Sequence, residues 1–214
     1  MNPIILALAA FSASTLGMAA DPYKVAIERL GRLAAPPRLS AELKARIAAS
    51  LPKEGEVKGL TAMQREKLEA VAPVLKAHGR EDDYLLKVVE SRQARVAIYA
   101  RSVVLITETA LRVLSPTQLQ ALVAHEIGHE YVWDEFEEAR KRGDNTLLRQ
   151  LELVCDGVAI LTLCRIGAPP SALIDGLRVM TASDRSNGLE VDARSHPTLV
   201  ERSQFARRVT LMTP

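Results

Sequence analysis

The sequence predicts an α+β domain that is mostly helical, with a small β-sheet preceding a helix that contains two histidines. Capping residues followed by apolar stripes predict helices over most of the 214 residues. Three short β-branched runs between residues 84 and 107 predict the sheet. The motif H-E-I-G-H at residues 125–129 directly follows an apolar helical run, which predicts that the motif lies on a helix.

Length and composition are those of an ordinary globular protein. The chain is long enough for one domain with a sizeable core, and it is 48% apolar and 25% charged. Its net charge of +2 does not indicate a nucleic-acid surface, so nucleic acid is not an expected partner. Up to Arg101 there are 16 basic and 11 acidic residues. This basic half is either a surface for an anionic partner or a set of solvated helix faces.

The first 20 residues have no charged side chain and an apolar centre. They end in small residues, which predicts a secretory signal cut near Ala19 or Ala20. The alternative is an uncleaved membrane anchor, for which the apolar run is barely long enough. We expect a periplasmic or secreted protein, or one that its N-terminus holds near a membrane.

Residues 21–80 are predicted to form an accessory helical segment. Ser40 can cap one helix, and a capping box at residues 61–64 opens a second helix. Pro73 is expected to kink the second helix, whose apolar stripe is expected to pack on the rest of the protein. His78 lies near the C-terminal end of that helix, where a cation is favoured.

The predicted strands are residues 84–89, 95–100 and 103–107. One exposed edge of this sheet could pair with an extended peptide, because main-chain pairing requires little sequence specificity. The alternative is a purely structural sheet.

His125 and His129 are four residues apart, which places both imidazoles on one face of a helix. Two imidazoles at this spacing can hold one metal ion. Glu126 lies beside them, where it can take a proton from water instead of binding the metal. Ser115 and Gln118 form the capping box that begins this helix.

Glu152 is the candidate for the third metal ligand. It lies in a strongly apolar segment, residues 147–165, which is predicted to be helical and places Asp156 on the same face. Asp156 would accept a hydrogen bond from a ligand imidazole and fix its tautomer. Alternatively, the two carboxylates form a solvated face. Cys155, between them, is either a buried apolar residue or a thiolate ligand.

The position of Glu152 requires a break in the preceding helix. If one straight helix continued to Arg142, Glu152 would lie roughly 10 Å along the axis from His129 and could not share its metal. We therefore predict a break near Trp133, with an acidic capping pattern at residues 134–137.

The C-terminal part should bring further groups to the site. A helix is expected to end near Met180, and residues 181–195 are expected to form a loop that carries His196 toward the metal. A last helix should run from about residue 197 to 211. Its Arg202 either anchors a carboxylate near the site or lies on the surface.

Taken in order, H-E-I-G-H, the E-x-x-x-D of residues 152–156, and Ser195-His196-Pro197 followed by Arg202 resemble the HtpX and CAAX-prenyl-endopeptidase family of zinc peptidases. This is metallopeptidase family 48, in the gluzincin group, and the resemblance covers roughly residue 84 to the C-terminus. The chain departs from the family before the metal helix. It has Gln93-Ala94 where relatives have Asn-Ala, and Arg101-Ser102 in place of a glycine-rich turn.

The resemblance implies a zincin-like peptidase domain over residues 81–214 that binds one zinc ion per chain. Its ligands would be His125, His129 and Glu152, and Glu126 would be its general base. His196 matches a histidine that lies near the metal, with a role either in the transition state or in gating. The implied activity is cleavage of peptide bonds in unfolded or extended exported proteins, as in envelope protein quality control.

Three other interpretations stay open at the level of sequence. The chain could be a chaperone or assembly factor that keeps the metal site as a scaffold, although a scaffold would not need Glu126. It could be a latent protease in which His196 closes the open metal position. It could also be a helical protein in which the motifs are coincidental.

Overall fold

The computed structural model of the chain describes residues 23–51, 55–57, 59–189 and 194–213. The predicted signal or anchor, residues 1–20, lies outside the described residues. The helices are α1 (Lys24–Leu30), α2 (Ala41–Ser50), α3 (Ala62–Glu69), α4 (Ala72–Ala77), α5 (Glu108–Val113), α6 (Pro116–Tyr131), α7 (Trp133–Arg142), α8 (Asn145–Arg165), α9 (Ala172–Ser186) and α10 (Leu199–Met212). The strands are β1 (Leu85–Val89), β2 (Val96–Tyr99) and β3 (Val103–Thr107).

The three strands form one mixed sheet in the order β1-β3-β2, which confirms the predicted sheet before the metal helix. The central strand β3 pairs in parallel with β1 and antiparallel with β2. The outer side of β1 is partly covered through a bridge between Glu56 and Val89. The other edge is β2, which packs against α6. The sheet therefore places an edge strand beside the helix that bears the H-E-I-G-H motif.

The helices α6 and α8 pack against each other at the centre of the molecule. Both are apolar on most sides, because α9, α10, α1 and the sheet surround them; their most deeply buried side chains include Leu119, Val123, Leu151, Val154, Ile160 and Leu163. A helix that is apolar all round belongs in a core. Helix α8, which corresponds to the strongly apolar segment predicted at residues 147–165, is accordingly buried along most of its length.

The apolar stripe of the predicted accessory segment, residues 21–80, was expected to pack on the rest of the protein, and the described part of this segment does contribute to the central core. Tyr23, Leu30, Val71 and Val74 are buried in the same cluster as the residues of α6 and α8. A β-carbon at Gly157 would lie only 2.6 Å from Leu30 Cδ2, so this glycine lets α1 pack directly on α8. The proposed boundary near residue 80 does not separate two cores.

Several predicted ends of helices are confirmed by hydrogen bonds. Ser40 accepts a bond from the Leu43 amide, and the capping box of residues 61–64 has both of its bonds. The expected kink at Pro73 is a break instead: α3 ends at Glu69, and Pro73 lies in the first turn of α4, where its missing N–H costs nothing.

Two other expectations are corrected. The helix expected to end near Met180 continues to Ser186, so residues 181–186, which were expected to belong to the loop before His196, are helical. His78 is not a surface cation: its ring bonds with the hydroxyls of Tyr131 and Thr162, and burial lowers its pKa to about 3. A positive charge is not favoured on His78, although it lies at a helix C-terminus, because the end of α4 is buried against α6 and α8.

Candidate metal centre

The helix that carries H-E-I-G-H ends where the site requires it to end. α6 begins at a complete capping box between Ser115 and Gln118 and ends at Tyr131. Val132, with φ −122° and ψ 16°, leaves the helical conformation, and α7 begins at Trp133. The predicted break is confirmed. The predicted cap is wrong, because α7 has no side-chain cap and the acidic residues lie inside its first turn.

Gly128, inside the motif, sets the distance between α6 and α8. A β-carbon at this position would lie 2.8 Å from Cys155 Cα and 3.1 Å from its carbonyl oxygen. Those atoms belong to the backbone of α8 and cannot rotate away. Any residue but glycine would therefore push α8 outward, and with it Glu152, which lies one turn before Cys155.

This close approach brings the three predicted ligands together. Glu152 Oε2 lies 3.3 Å from His125 Nε2, and Glu152 Oε1 lies 3.6 Å from His129 Nε2. All three side chains are buried at the base of the site. The two imidazole rings meet edge to face, with centroids 5.2 Å apart, so both ε-nitrogens face the same carboxylate.

Asp156 and Arg202 complete a buried charge network behind these groups. Asp156 Oδ1 lies 2.9 Å from His125 Nδ1, on the side of the ring away from Glu152. The Arg202 guanidinium donates to Asp156 Oδ1 at 3.0 Å and to Glu152 Oε2 at 2.7 Å. Arg202 is only 5% exposed, so the alternative of a surface arginine is wrong. The alternative of a solvated acidic face is likewise wrong, because both carboxylates are buried.

The electrostatics of this network favour an ionised Glu152 and a protonated His125 ring between the two carboxylates. Burial alone would raise the pKa of the Glu152 carboxyl, but the neighbouring imidazoles and guanidinium hold it well below its ordinary value. Burial would lower the pKa of His125, but its contacts with Asp156 and Glu152 raise it to about 10. Burial lowers the pKa of His129 although the Glu152 carboxylate lies 3.6 Å from its Nε2, so the neutral ring is favoured there.

Glu126 faces the edge strand of the sheet. Its Oε2 accepts a hydrogen bond of 3.0 Å from the amide of Ile98 on β2. Ligand atoms of His125, Glu126 and His129 all lie within 4.8 Å of one another, and this group could hold a metal ion. Glu152 lies 3.3 Å and 3.6 Å from the two ε-nitrogens, whereas the Glu126 carboxylate is hydrogen-bonded to the strand.

His196 reaches the same site from the loop before α10. Its Nε2 lies 3.7 Å from Glu152 Oε1, and its side chain is 50% exposed. Ser195 Oγ lies 3.1 Å from its Nδ1. The structure therefore places His196 on the solvent side of the predicted ligands, above Glu152.

The arrangement fits a tetrahedral metal ion. Ligands about 2.1 Å from a tetrahedral zinc are about 3.4 Å apart, and Glu152 approaches the two imidazoles to 3.3 Å and 3.6 Å, with a different oxygen toward each. The donor set is two imidazoles and one carboxylate. Among the described residues, the Asp156 Oδ2 and His125 Nδ1 atoms are buried without a hydrogen-bond partner of good geometry, although His125 Nδ1 lies 2.9 Å from Asp156 Oδ1.

Other contacts at the site depend on tertiary packing and were not predicted. Phe136 of α7 packs edge to face on His129, with centroids 4.8 Å apart. Arg101, in the turn between β2 and β3, contacts the buried Glu130 carboxylate at 3.3 Å and lies over the Trp133 ring. The acidic residue that follows His129 on an apolar helix was a signal of a buried ion pair, but nothing in the sequence identified its partner.

Cys155 is completely buried, and burial raises the pKa of its thiol well above the ordinary value. A buried, neutral thiol supports the interpretation of Cys155 as an apolar packing residue. Its backbone, more than its sulfur, matters for the site.

The chain matches no protein-family model and no curated protein. None of the helices in the described residues combines the length and the apolar composition that a bilayer span requires. The functional interpretation therefore depends on the residues and geometry of the site.

Proposed function

We propose that the protein is a zinc-dependent endopeptidase of the kind that its motifs resemble, acting on unfolded or extended exported proteins. The observation that supports this proposal best is the convergence of His125, His129 and Glu152, with Glu126 beside them and not among them. Three protein ligands and an open fourth position are the usual arrangement of catalytic zinc sites, whereas structural sites use four.

In this proposal His125, His129 and Glu152 hold the metal. A bound zinc ion would polarise the scissile carbonyl and make water a nucleophile at neutral pH. Asp156 fixes the orientation of His125 through its Nδ1, and Arg202 holds both carboxylates in place. Arg202 also offsets the cost of burying two negative charges.

Glu126 is the proposed general base. It takes a proton from the attacking water and delivers it to the leaving amine. The Ile98 amide holds its Oε2 at 3.0 Å, which leaves Oε1 to face the reacting atoms. A general base must be held in one orientation, and the hydrogen bond from the edge strand orients the Glu126 carboxylate.

The same strand offers a way to bind the substrate. Residues of an antiparallel strand alternate between bonding to the neighbouring strand and facing outward. The amide of Thr107 donates to the Arg95 carbonyl, so residues 95, 97 and 99 face β3, while Val96 and Ile98 face the opposite edge, where the Ile98 amide already donates to Glu126. A peptide that pairs with this edge would lie beside Glu126 with little sequence requirement.

The proposal is tested by cleavage of an unfolded protein, for which reduced, carboxymethylated casein is a suitable substrate. The purified protein should cleave it, a zinc chelator should abolish cleavage, and added zinc should restore it. Cleavage that persists after the metal has been removed would contradict a zinc-dependent mechanism.

A latent form of the same enzyme is the second candidate, and the position of His196 favours it. An imidazole 3.7 Å from Glu152 Oε1 is close enough to occupy the fourth metal position. A role in gating predicts that His196→Ala raises the cleavage rate, whereas a role in the transition state predicts a fall of roughly 100-fold. The rate for casein cleavage by this variant decides between the two roles.

A further inference from the structure

We propose that Arg149 is a positioning residue that holds His196 at the metal centre. This inference rests on the proposed metal site and adds to it a residue that no motif identified. Arg149 lies in the second turn of α8, the helix that also supplies Glu152.

Arg149 contacts residues 196–201, the His196 segment, at two places. Its Nη1 donates a hydrogen bond of 2.6 Å to the carbonyl oxygen of His196. Its Nη2 donates to both carboxylate oxygens of Glu201, at 2.7 Å and 2.6 Å. One guanidinium therefore bridges the backbone of His196 and the first turn of α10, a geometry that a single ammonium group cannot reproduce.

Glu201 fixes the chain between these two contacts. It belongs to a capping box in which its Oε2 accepts from the Thr198 amide at 2.7 Å, while the Thr198 hydroxyl accepts from the Glu201 amide. Residues 196–201 are thus held at the carbonyl of His196, at the amide of Thr198 and at the carboxylate of Glu201. The backbone that bears the His196 ring has little freedom to shift relative to α8.

The spacing on α8 sets where His196 stands. Arg149 precedes Glu152 by three residues, about 4.5 Å along the helix axis and close to the same face. Helix α8 therefore carries the metal ligand and the anchor of His196 on one rigid element. This shared support explains how a half-exposed histidine stands 3.7 Å from a buried carboxylate.

The ion pair between Arg149 and Glu201 lies near the surface and not in the core. The side chains of Arg149 and Glu201 are 30% and 40% exposed. Exposed ion pairs contribute little to global stability, even with favourable geometry. Substitution of Arg149 should therefore leave the melting temperature nearly unchanged while it changes the metal centre.

The test is a double-mutant cycle with Arg149→Ala, His196→Ala and both changes together in the full chain. Two quantities are measured: the zinc dissociation constant, by competition with a chromophoric chelator, and kcat/KM for casein. His196→Ala should change at least one of them, by roughly 10-fold if it supports the metal. Arg149→Ala should change the same quantity in the same direction, and the double variant should be no different from His196→Ala alone.

Two further variants make the outcome specific. Arg149→Lys keeps the charge but cannot bridge both acceptors, so it should show an intermediate effect. Arg178→Ala, which removes another exposed arginine paired with a carboxylate, Asp175, should change neither quantity.

Each possible result bears on the inference. Additive effects of the two changes, or an effect of His196→Ala without one of Arg149→Ala, would overturn it. Zinc binding and cleavage that are unaffected by either change would overturn it as well, because His196 would then act nowhere near the metal. Failure of the unmodified chain to bind zinc would contradict the proposed function itself, which the inference requires.

Discussion

At the scale of single residues, the candidate centre is a balance of buried charges. Glu152 and Asp156 bring two carboxylates into the core, and Arg202 and His125 each contact both of them. Isolated buried charges cost several kcal/mol, so each of these groups depends on the others. The network persists because every carboxylate faces either Arg202 or an imidazole, and because a cation among these groups is favoured.

His78 is a buried imidazole whose pKa is lowered, whereas that of His125 is raised, and this difference leads to a prediction about pH. Its pKa of about 3 lies below the ordinary value of 6.5, so the folded protein keeps it neutral. Protonation of His78 therefore favours the unfolded chain. The stability that the neutral His78 ring contributes is fully present above pH 6.5 and is lost as the pH falls toward 3. Between pH 7 and pH 5 this group alone should remove about 2 kcal/mol from the free energy of unfolding.

Urea unfolding of the wild type and His78→Gln at these two pH values measures this loss. Glutamine can still bond with the hydroxyls of Tyr131 and Thr162 but does not titrate. The variant should lose about 2 kcal/mol less than the wild type between pH 7 and pH 5. The same pH dependence in both proteins would show that His78 is not buried as a neutral ring.

At the scale of elements, the contact between α6 and α8 determines the site, and Gly128 controls that contact. Gly128→Ala would place a methyl group 2.8 Å from Cys155 Cα. Alanine favours helix by about 1 kcal/mol, but overpacking against a backbone costs more, so a net destabilisation of about 1–3 kcal/mol is expected. Zinc affinity should fall as well, because Glu152 moves with α8.

Gly157→Ala is the matched control for this prediction. Its added methyl group meets the flexible tip of Leu30, which can rotate, and not the backbone of a neighbouring helix. Thermal unfolding and zinc titration of both variants test the account. Equal effects of the two substitutions on zinc affinity would contradict a specific role for Gly128.

The turn between β2 and β3 is a second element on which the site depends. Ala100 and Arg101 have φ of 46° and 58°, the left-handed region in which non-glycine residues are strained. The ion pair of Arg101 with Glu130 and its contact with Trp133 offset this strain. They also hold β2 over α6, where the Ile98 amide meets Glu126.

Much of the candidate site could be predicted from the sequence, because its groups follow local rules. The spacing of His125 and His129 is a helical property, and the need for Glu152 to reach them required the break near Trp133. The contacts of Arg149, Arg101 and Phe136 could not be predicted, because they depend on how distant elements approach one another. The short helices α1 and α5 were missed because six or seven residues show too little periodicity.

At the scale of the whole molecule, α8 connects the elements that form the candidate site. It contributes Arg149, Glu152 and Asp156 to the site and packs against α1, α6 and α10. The sheet contributes the edge strand, and α10 contributes Arg202. Substrate, metal and general base would therefore meet where a helix pair, a sheet edge and the His196 segment converge.

The most direct test of the central claim compares the wild type with Glu126→Gln for zinc content and casein cleavage in the same preparations. Glutamine is close in size to glutamate and is not a proposed ligand, so both proteins should bind one zinc ion per chain. Only the wild type should cleave at an appreciable rate, with the variant reduced by at least about 100-fold. Equal cleavage by both proteins, or loss of zinc from the variant, would contradict the role of Glu126 as general base beside the metal.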